Sequence, residues 1–260
     1  INAYYNTFEN HRDFSDGEGY GVNPTIKFQL TEKTTLDVSY EYIDYDRSID
    51  RGIPTANGKP VDALNDIVFG DSDLNKSELE AHTLRAMFQH EFSDTLKGVF
   101  TASYTNYDKL YQNFYAADYD EATPDQVTLD GYLDTTKREN LVFSGNLVSK
   151  FQTGDIEHTL LFGAEFSNSS STNDRYDPNW SDITDTRDDD NDALTPEVNA
   201  PDLQTVSLTN LKNLRGGSVT NINGNLSHAD FGTLKDDTET DITVYSIYVQ
   251  DEIELSEALT

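Results

Sequence analysis

The 260-residue chain contains no cysteine and one methionine, and it has only 18 lysine and arginine residues against 48 aspartate and glutamate residues. The absence of cysteine excludes a disulfide scaffold, a thiolate metal site and a cysteine nucleophile. The formal net charge of −30 argues against nucleic acid as a partner, because binding to phosphate backbones depends on lysine and arginine displacing counterions. No stretch approaches the roughly 20 apolar residues that a membrane helix needs. The chain is therefore predicted to be soluble or to cross a membrane with strands.

What the sequence does contain is alternation. In Thr83–Asp108 the even positions, such as Leu84 and Phe100, are apolar or small, and polar residues such as Arg85 and Thr101 fill the odd ones. A period of two is that of a β-strand with one apolar face. The same period predicts strands at 1–14, 20–30, 36–47, 78–92, 95–107, 137–152, 157–170 and 239–255. It assigns to an outward face Phe88, Phe100, Phe143, Leu147, Phe162 and Ile247, and to an inward face Arg85, Thr101, Ser103, Asn146 and Lys150. The predicted fold is all-β, an antiparallel meander of about eight strands.

The connections between the predicted strands alternate in length. Short turns are predicted at Thr31–Thr35, Ser93–Thr95, Gln152–Asp155 and Ser256–Ala258, and the other connections are the brief Ser15–Gly19 and the long Ser48–Ser77, Asp108–Thr136 and Ser171–Thr238. Alternate hairpins of a meander lie at the same end, so tight turns gather at one end and large loops at the other. This asymmetry is typical of an outer-membrane barrel with short periplasmic turns and long extracellular loops. A soluble β-sandwich is the alternative, but its strands usually have about five or six residues.

Several segments carry a resemblance to a known family: Asn23–Ser48, Asp50–Val61, Phe69–Asp71, Leu84–Gly98, His158–Ser167 and Ser246–Thr260. In their order and intervals, the chain resembles the middle of TonB-dependent outer-membrane receptors for ferric siderophores. The most specific feature is Arg-Gly-Ile-Pro at 51–54 followed by Phe-Gly-Asp at 69–71 within one loop.

The resemblance implies a monomeric barrel of about 22 strands around a plug domain. It implies import of a ferric siderophore across the outer membrane of a Gram-negative bacterium, with energy from the TonB complex. The implied surroundings are outer-membrane lipid and lipopolysaccharide, and the iron chelate is transported rather than held as a cofactor. We find no plug, no TonB box and no closing strand with an aromatic end, so residues 1–260 are expected to be a barrel fragment.

Candidate ligand-binding residues lie in the predicted loops. Arg47 and Arg51 flank the start of one loop and are suited to an anionic chelate through charge-assisted hydrogen bonds, with ion pairing to Asp44, Asp46 or Asp50 as the alternative. The other candidates are Tyr111, Phe114, Tyr115, Tyr119, Arg175, Tyr176 and Trp180. For the aromatic residues the competing interpretation is a membrane-interface girdle, which explains Tyr104 and Tyr107 best.

Other motifs give weaker predictions. Asp188, Asp190 and Asp192 have a spacing suited to calcium, but the segment lacks the glycine and the terminal glutamate of an EF-hand loop. No catalytic motif is present, so the chain is not predicted to be an enzyme. The alternatives to a receptor are an outer-membrane barrel enzyme, a porin-like channel and a secreted β-sandwich binding module. The identity of the siderophore stays open.

Overall fold

The fold is a single large antiparallel sheet. The structure, a computed structural model, describes residues 1–12, 15–70, 73–180, 204–208, 218–220 and 226–254. Within them, an 11-stranded sheet is accompanied by a two-stranded hairpin, which confirms the all-β prediction. The strands are β1 (Asn2–Glu9), β2 (Asp16–Asn23), β3 (Thr25–Thr31), β4 (Thr34–Ser48), β5 (Thr55–Ala56), β6 (Lys59–Pro60), β7 (Lys76–Ser93), β8 (Leu96–Asp118), β9 (Gln126–Thr153), β10 (Ile156–Trp180), β11 (Gln204–Ser207), β12 (Ser218–Thr220) and β13 (Leu226–Glu254). None of the described helical segments is long and apolar enough to span a membrane.

The strand order confirms a meander. Long strands pair with their sequence neighbours in the order β1, β2, β4, β7, β8, β9, β10 and β13. β3 also pairs with β4 and continues the line of β2, from which Pro24 separates it. Proline has no N–H group to donate to the ladder, so a break there is expected. The described strands do not divide into two packed sheets, which contradicts the β-sandwich alternative.

The far ends of the strands differ from the prediction. The tight turns at Thr31–Thr35, Ser93–Thr95 and Gln152–Asp155 lie where expected, and the predicted turn Ser256–Ala258 lies outside the described residues. In contrast, β8 runs to Asp118 and β10 to Trp180, so much of the predicted loops Asp108–Thr136 and Ser171–Thr238 is strand. The extended part of β8 stays paired with β9, and that of β10 with β13. Ladder hydrogen bonds use the backbone alone, so pairing continues after the apolar side chains that marked these strands have ended.

The two faces of the sheet follow the predicted alternation. Directly opposed residues share a face, and one lateral row runs through Phe88, Phe100, Gly145, Ala164 and Ile247. We call this side the apolar face, and the register puts all of the predicted outward residues on it. The predicted inward residues lie on the other side, the polar face. In an outer-membrane β-barrel, the apolar face of the sheet contacts lipid.

A small core covers the apolar face at the end away from the tight turns. Its buried members are Leu64, Phe69, Phe114, Val127, Leu129, Trp180 and Val206. They come from the loop between β6 and β7, from the extensions of β8, β9 and β10, and from β11, which pairs with β9. We call this group the distal core. It holds the loop that follows β4 against the extended strands, and so positions the site described next.

Candidate ligand-binding site

The extensions of β8 and β9 present a patch of phenols and carboxylates on the polar face. Tyr111 is opposite Asp134, and Tyr115 is opposite Asp130. Between them Tyr132 stacks on Tyr111, with ring centroids 5.9 Å apart. These residues lie well beyond Tyr104, an exposed aromatic residue on the apolar face of β8, and so outside the membrane-spanning part of the strand.

Arg51 reaches this patch from the loop after β4. Gly52 has a φ of 84°, a left-handed conformation that turns the chain directly behind the arginine. Arg51 Nη1 donates to the Tyr132 hydroxyl at 2.7 Å and to Asn113 Oδ1 at 3.2 Å. Its guanidinium carbon is 5.0 Å from the centroid of the Tyr115 ring. This geometry combines hydrogen bonds with a cation–π contact.

Arg175 enters the same patch from β10. Its Nε and Nη2 donate to the two carboxylate oxygens of Asp134 at 2.6 and 2.7 Å. Its guanidinium carbon lies 4.6 Å from the Tyr132 ring centroid, and that of Arg51 lies 5.7 Å from the same centroid. We call Arg51, Tyr111, Tyr115, Tyr132 and Arg175 the arginine–tyrosine cluster.

The pKa values of Tyr115, Arg175 and Arg51 are raised within the cluster. Burial raises the pKa of Tyr115, and its hydrogen bond to Asp130 raises the pKa further. The hydrogen bond to Asp134 raises the pKa of Arg175. Burial lowers the pKa of Arg51, but the Tyr132 and Tyr111 hydroxyls more than offset it, so the net shift is upward. The site therefore offers two guanidinium cations and the neutral phenol of Tyr115 at neutral pH.

The structure brings together four of the predicted residues, Arg51, Tyr111, Tyr115 and Arg175. Arg51 bonds to none of the three aspartates considered from the sequence; Asp50 instead forms an ion pair with Arg12.

Arg47 is on the lateral row of Tyr111, with Ser77 between them. It lies over the Tyr45 ring, 5.4 Å from its centroid, and lines a separate cleft of about 410 Å³ with several carboxylates. It is therefore outside the cluster.

The remaining predicted residues, Phe114, Trp180, Tyr119 and Tyr176, lie outside the cluster, and the first three take part in packing. Phe114 and Trp180 are each 1% exposed in the distal core, with ring centroids 5.4 Å apart. Tyr119 packs against the same core. Tyr176 follows Arg175 directly and is opposite Leu133, so it lies on the other face of the strand. Packing in or against this core explains Phe114, Trp180 and Tyr119 without a ligand.

The girdle interpretation holds for one of its two tyrosines. Tyr104 is 40% exposed on the apolar face, where a membrane-interface tyrosine belongs. Tyr107 has the opposite parity and lies on the polar face, where the guanidinium carbon of Arg138 is 5.6 Å from its ring centroid. The assignment of Tyr107 to the girdle was wrong, because alternation moves it away from lipid.

Sequence reasoning missed Tyr132, Asp130 and Asp134. They lie in the part of β9 that was predicted to be loop. The signal was nevertheless present, because Val127, Leu129, Gly131 and Leu133 alternate with polar residues as in any strand of this chain.

A metal site finds no support in the described part of the chain. No group of three or more histidine, aspartate or glutamate residues there is arranged to hold a metal ion. The calcium prediction for Asp188, Asp190 and Asp192 lies outside the described residues.

The sequence of the chain is similar to parts of known outer-membrane receptors. No protein-family model matches the chain. It is 27% identical over 167 residues to the probable TonB-dependent siderophore receptor PiuA of Acinetobacter baumannii, covering 59% of this chain and 22% of that one. It is 28% identical over 190 residues to the catecholate siderophore receptor Fiu of Escherichia coli K12, covering 64% of this chain and 25% of that one. The chain thus spans a minor part of the length of these relatives.

Solved structures extend the likeness to nearly the whole chain. The crystal structure of PiuA superposes with a TM-score of 0.67 at 20% identity, covering 98% of this chain and 36% of that one. The Pseudomonas aeruginosa receptor FpvA, bound to an iron-loaded pyoverdine, gives a TM-score of 0.71 at 16% identity over 98% of this chain and 30% of that one. The chain resembles the barrel of TonB-dependent siderophore receptors. This receptor-barrel fold is an outer-membrane one, and the named relatives are receptors rather than enzymes, as the sequence predicted.

On the receptor-barrel fold the arginine–tyrosine cluster has a defined position. It lies at the end of the strands opposite the tight turns, and therefore on the extracellular side. It also lies on the polar face, which in such a barrel is the lumen side.

Proposed function

We propose that the chain supplies part of the wall and of the extracellular ligand-gathering surface of an outer-membrane receptor that takes up a ferric siderophore with energy from TonB. The observation that carries the proposal is the arginine–tyrosine cluster on the lumen side of a receptor-barrel fold. The names of PiuA and Fiu point to the same class of ligand.

The chemistry of the cluster suits an iron chelate. Ferric siderophores present anionic oxygens around the metal, and many also carry aromatic rings. Guanidinium groups form strong hydrogen bonds with anionic oxygens, and phenol rings provide flat apolar contacts. Because Arg51 has no carboxylate partner among the residues that the structure describes, it is the cation of the cluster most available to such a ligand.

The proposal extends to the whole protein. We infer that residues 1–260 form one part of a larger monomeric barrel, whose lumen side meets a plug and whose apolar face meets lipid and lipopolysaccharide. The coverage of 36% of the PiuA chain and 30% of the FpvA chain supports this division.

The test uses the complete receptor in a strain that lacks its other siderophore receptors. Growth on catecholate, hydroxamate and citrate complexes of iron identifies the chelate, and its affinity is then measured on the purified receptor. We expect Arg51→Gln to weaken binding at least about tenfold, or roughly 1.4 kcal/mol.

Arg85→Gln is the matched control. Arg85 is an exposed arginine on the polar face of β7, away from the cluster. We expect this variant to bind as tightly as the parent. Growth on none of the chelates, or equal binding by Arg51→Gln and the parent, would contradict the proposal.

A further inference from the structure

A second cationic site lies on the polar face, closer to the tight turns than the arginine–tyrosine cluster. Arg138 is on β9, on the same face as Asp134 and four residues along the strand from it, a separation of about 13 Å at about 3.3 Å per residue. It is opposite Ser171 of β10, and Ser171 is in turn opposite Thr240 of β13. Three neighbouring strands thus contribute to one spot on the lumen wall.

The surroundings of Arg138 form a small polar cavity without an acid. The cavity has a volume of about 220 Å³ and is lined by Arg138, Ser169, Ser171, Asn173, Thr240 and Ile242. Asn173 Nδ2 donates to Ser171 Oγ at 3.1 Å, which leaves the hydroxyl hydrogen of Ser171 available to a further acceptor. The lining therefore offers hydrogen-bond donors and one positive charge.

The guanidinium of Arg138 is held in place but is not neutralised. The Tyr107 ring lies beside it, at 5.6 Å from centroid to guanidinium carbon. Its Nε is buried and has no hydrogen-bond partner among the described residues. A buried donor without an acceptor costs free energy, so an acceptor that enters the cavity would be bound favourably.

Arg138, like Arg51 and unlike Arg175, has no carboxylate partner among the described residues. In the cluster, Arg175 is already paired with both oxygens of Asp134. Arg138 has no ion pair within the described ranges, although the chain carries 48 aspartate and glutamate residues. An anionic group moving along the lumen wall from the cluster would find an uncompensated cation here.

We propose that Arg138 binds a carboxylate or a similar two-oxygen anion, with the Ser171 and Thr240 hydroxyls as additional donors. The planar fork of an arginine matches the two oxygens of such a group. The cavity volume of about 220 Å³ is below the range of ordinary ligand pockets, which is about 300–1,000 Å³. The cavity therefore accepts one ionised group of a larger molecule. The inference rests on the proposed function for the source of that group, which is either the chelate or an acidic side chain of protein inside the barrel.

The test follows the Arg138 Nε–H resonance of the complete, ¹⁵N-arginine-labelled receptor in detergent, with citrate as the probe. Loss of one signal in Arg138→Gln assigns the resonance, and the signal of Arg85 is the internal control. A saturable shift of the Arg138 signal with citrate, absent from the Arg85 signal, supports a free anion as the ligand. A signal that is already shifted downfield and protected from exchange before citrate is added supports a carboxylate of the protein.

A signal that behaves like that of Arg85, with and without citrate, overturns the proposal. Arg138→Lys gives a second measurement, because it retains the charge but loses the fork. Where citrate binds, we expect this variant to weaken citrate at least about fivefold, whereas a purely electrostatic site would bind it unchanged. The growth assay is independent of these measurements, so failure of the uptake function and failure of the Arg138 site are distinguished.

Discussion

At the scale of single residues, neighbours in one strand have opposite roles. Phe114 is buried in the distal core, and Tyr115, the next residue, belongs to the arginine–tyrosine cluster on the other face. The sequence predicted both aromatic residues at the end of the sheet opposite the tight turns, where the cluster lies. It did not separate them, because the alternation of β8 was followed only to residue 107 and both were assigned to a loop. With the strand extended, parity alone distinguishes the packing residue from the binding residue.

Asn75 connects the loop before β7 to the edge of β8. It is 4% exposed, its Nδ2 donates to the carbonyl oxygens of Ile49 and Phe114, and its Oδ1 accepts from the Phe114 amide. Asn75→Ala leaves buried backbone groups without these partners, each at about 1–3 kcal/mol. We expect about 2 kcal/mol of local destabilisation, which corresponds to roughly thirtyfold faster hydrogen exchange at the Phe114 amide. Asn140→Ala, on the neighbouring strand β9 and away from Phe114, is the control. Equal exchange rates of the Phe114 amide in both variants would refute the role of Asn75.

Tyr115 provides a test of the electrostatics of the cluster. Burial and the 2.7 Å hydrogen bond to Asp130 raise its pKa above the ordinary value for tyrosine. The stabilising contribution of the neutral phenol is therefore complete below the unfolded-state pKa of about 10, and it is lost as the pH rises through the higher folded-state pKa. We expect Asp130→Asn to bring the ionisation of Tyr115 to lower pH. Tyrosinate absorbance, taken as the difference from Tyr115→Phe, measures the shift, and an unchanged midpoint would contradict it.

At the scale of the elements, the sequence predicted one end of each strand better than the other. The tight turns were located because turn-forming residues interrupt the alternation there. The far ends were missed because β9 and β10 continue in serine, threonine, asparagine and aspartate, residues that also fill loops. In such segments the pairing partner decides whether the backbone forms a strand or a loop, and a single sequence does not show which segments pair.

The two faces of β8 predict different responses to the same substitution. Phe100 is 41% exposed on the apolar face, and Thr101 has the opposite parity. An arginine that faces lipid near the membrane midplane costs roughly 2–4 kcal/mol. We expect Phe100→Arg to block assembly of the complete receptor, as measured by heat-modifiable migration in gels of outer-membrane fractions. Thr101→Arg is the matched control and is expected to assemble. Equal losses in both variants would show that the faces are wrongly assigned.

At the scale of the whole molecule, part of the large excess of acidic residues is concentrated on three neighbouring strands. On the apolar face, carboxylates begin directly beyond the last rows of apolar side chains, where Asp44 is opposite Glu80 and Asp46 is opposite Glu78. Glu18 is opposite Asp46 on the other side. Composition predicted the charge and alternation predicted the apolar face, but only the register shows that like charges are adjacent across three strands. Like charges directly opposed across a sheet are destabilising.

Asp46 makes this repulsion measurable. Burial raises its pKa, and the charge of Glu78 raises it further, while Lys76 acts in the opposite direction. A carboxyl group whose folded-state pKa is raised contributes stability that is complete below the unfolded-state pKa of about 3.9 and is lost as the pH rises through the folded-state pKa. Asp46→Asn should therefore stabilise the receptor at pH 7.5 and reduce the loss of stability between acid and neutral pH. After solvent screening the gain is about 0.5 kcal/mol, or a few tenths of a degree in Tm by calorimetry for a receptor about three times the length of this chain. Added salt should reduce this difference in stability between Asp46→Asn and the parent.

Asp155→Asn is the control, because it makes the same change of charge in a tight turn at the other end of the sheet. We expect this variant to have the Tm of the parent. An equal rise of Tm in both variants would mean that the effect comes from net charge rather than from the opposed carboxylates.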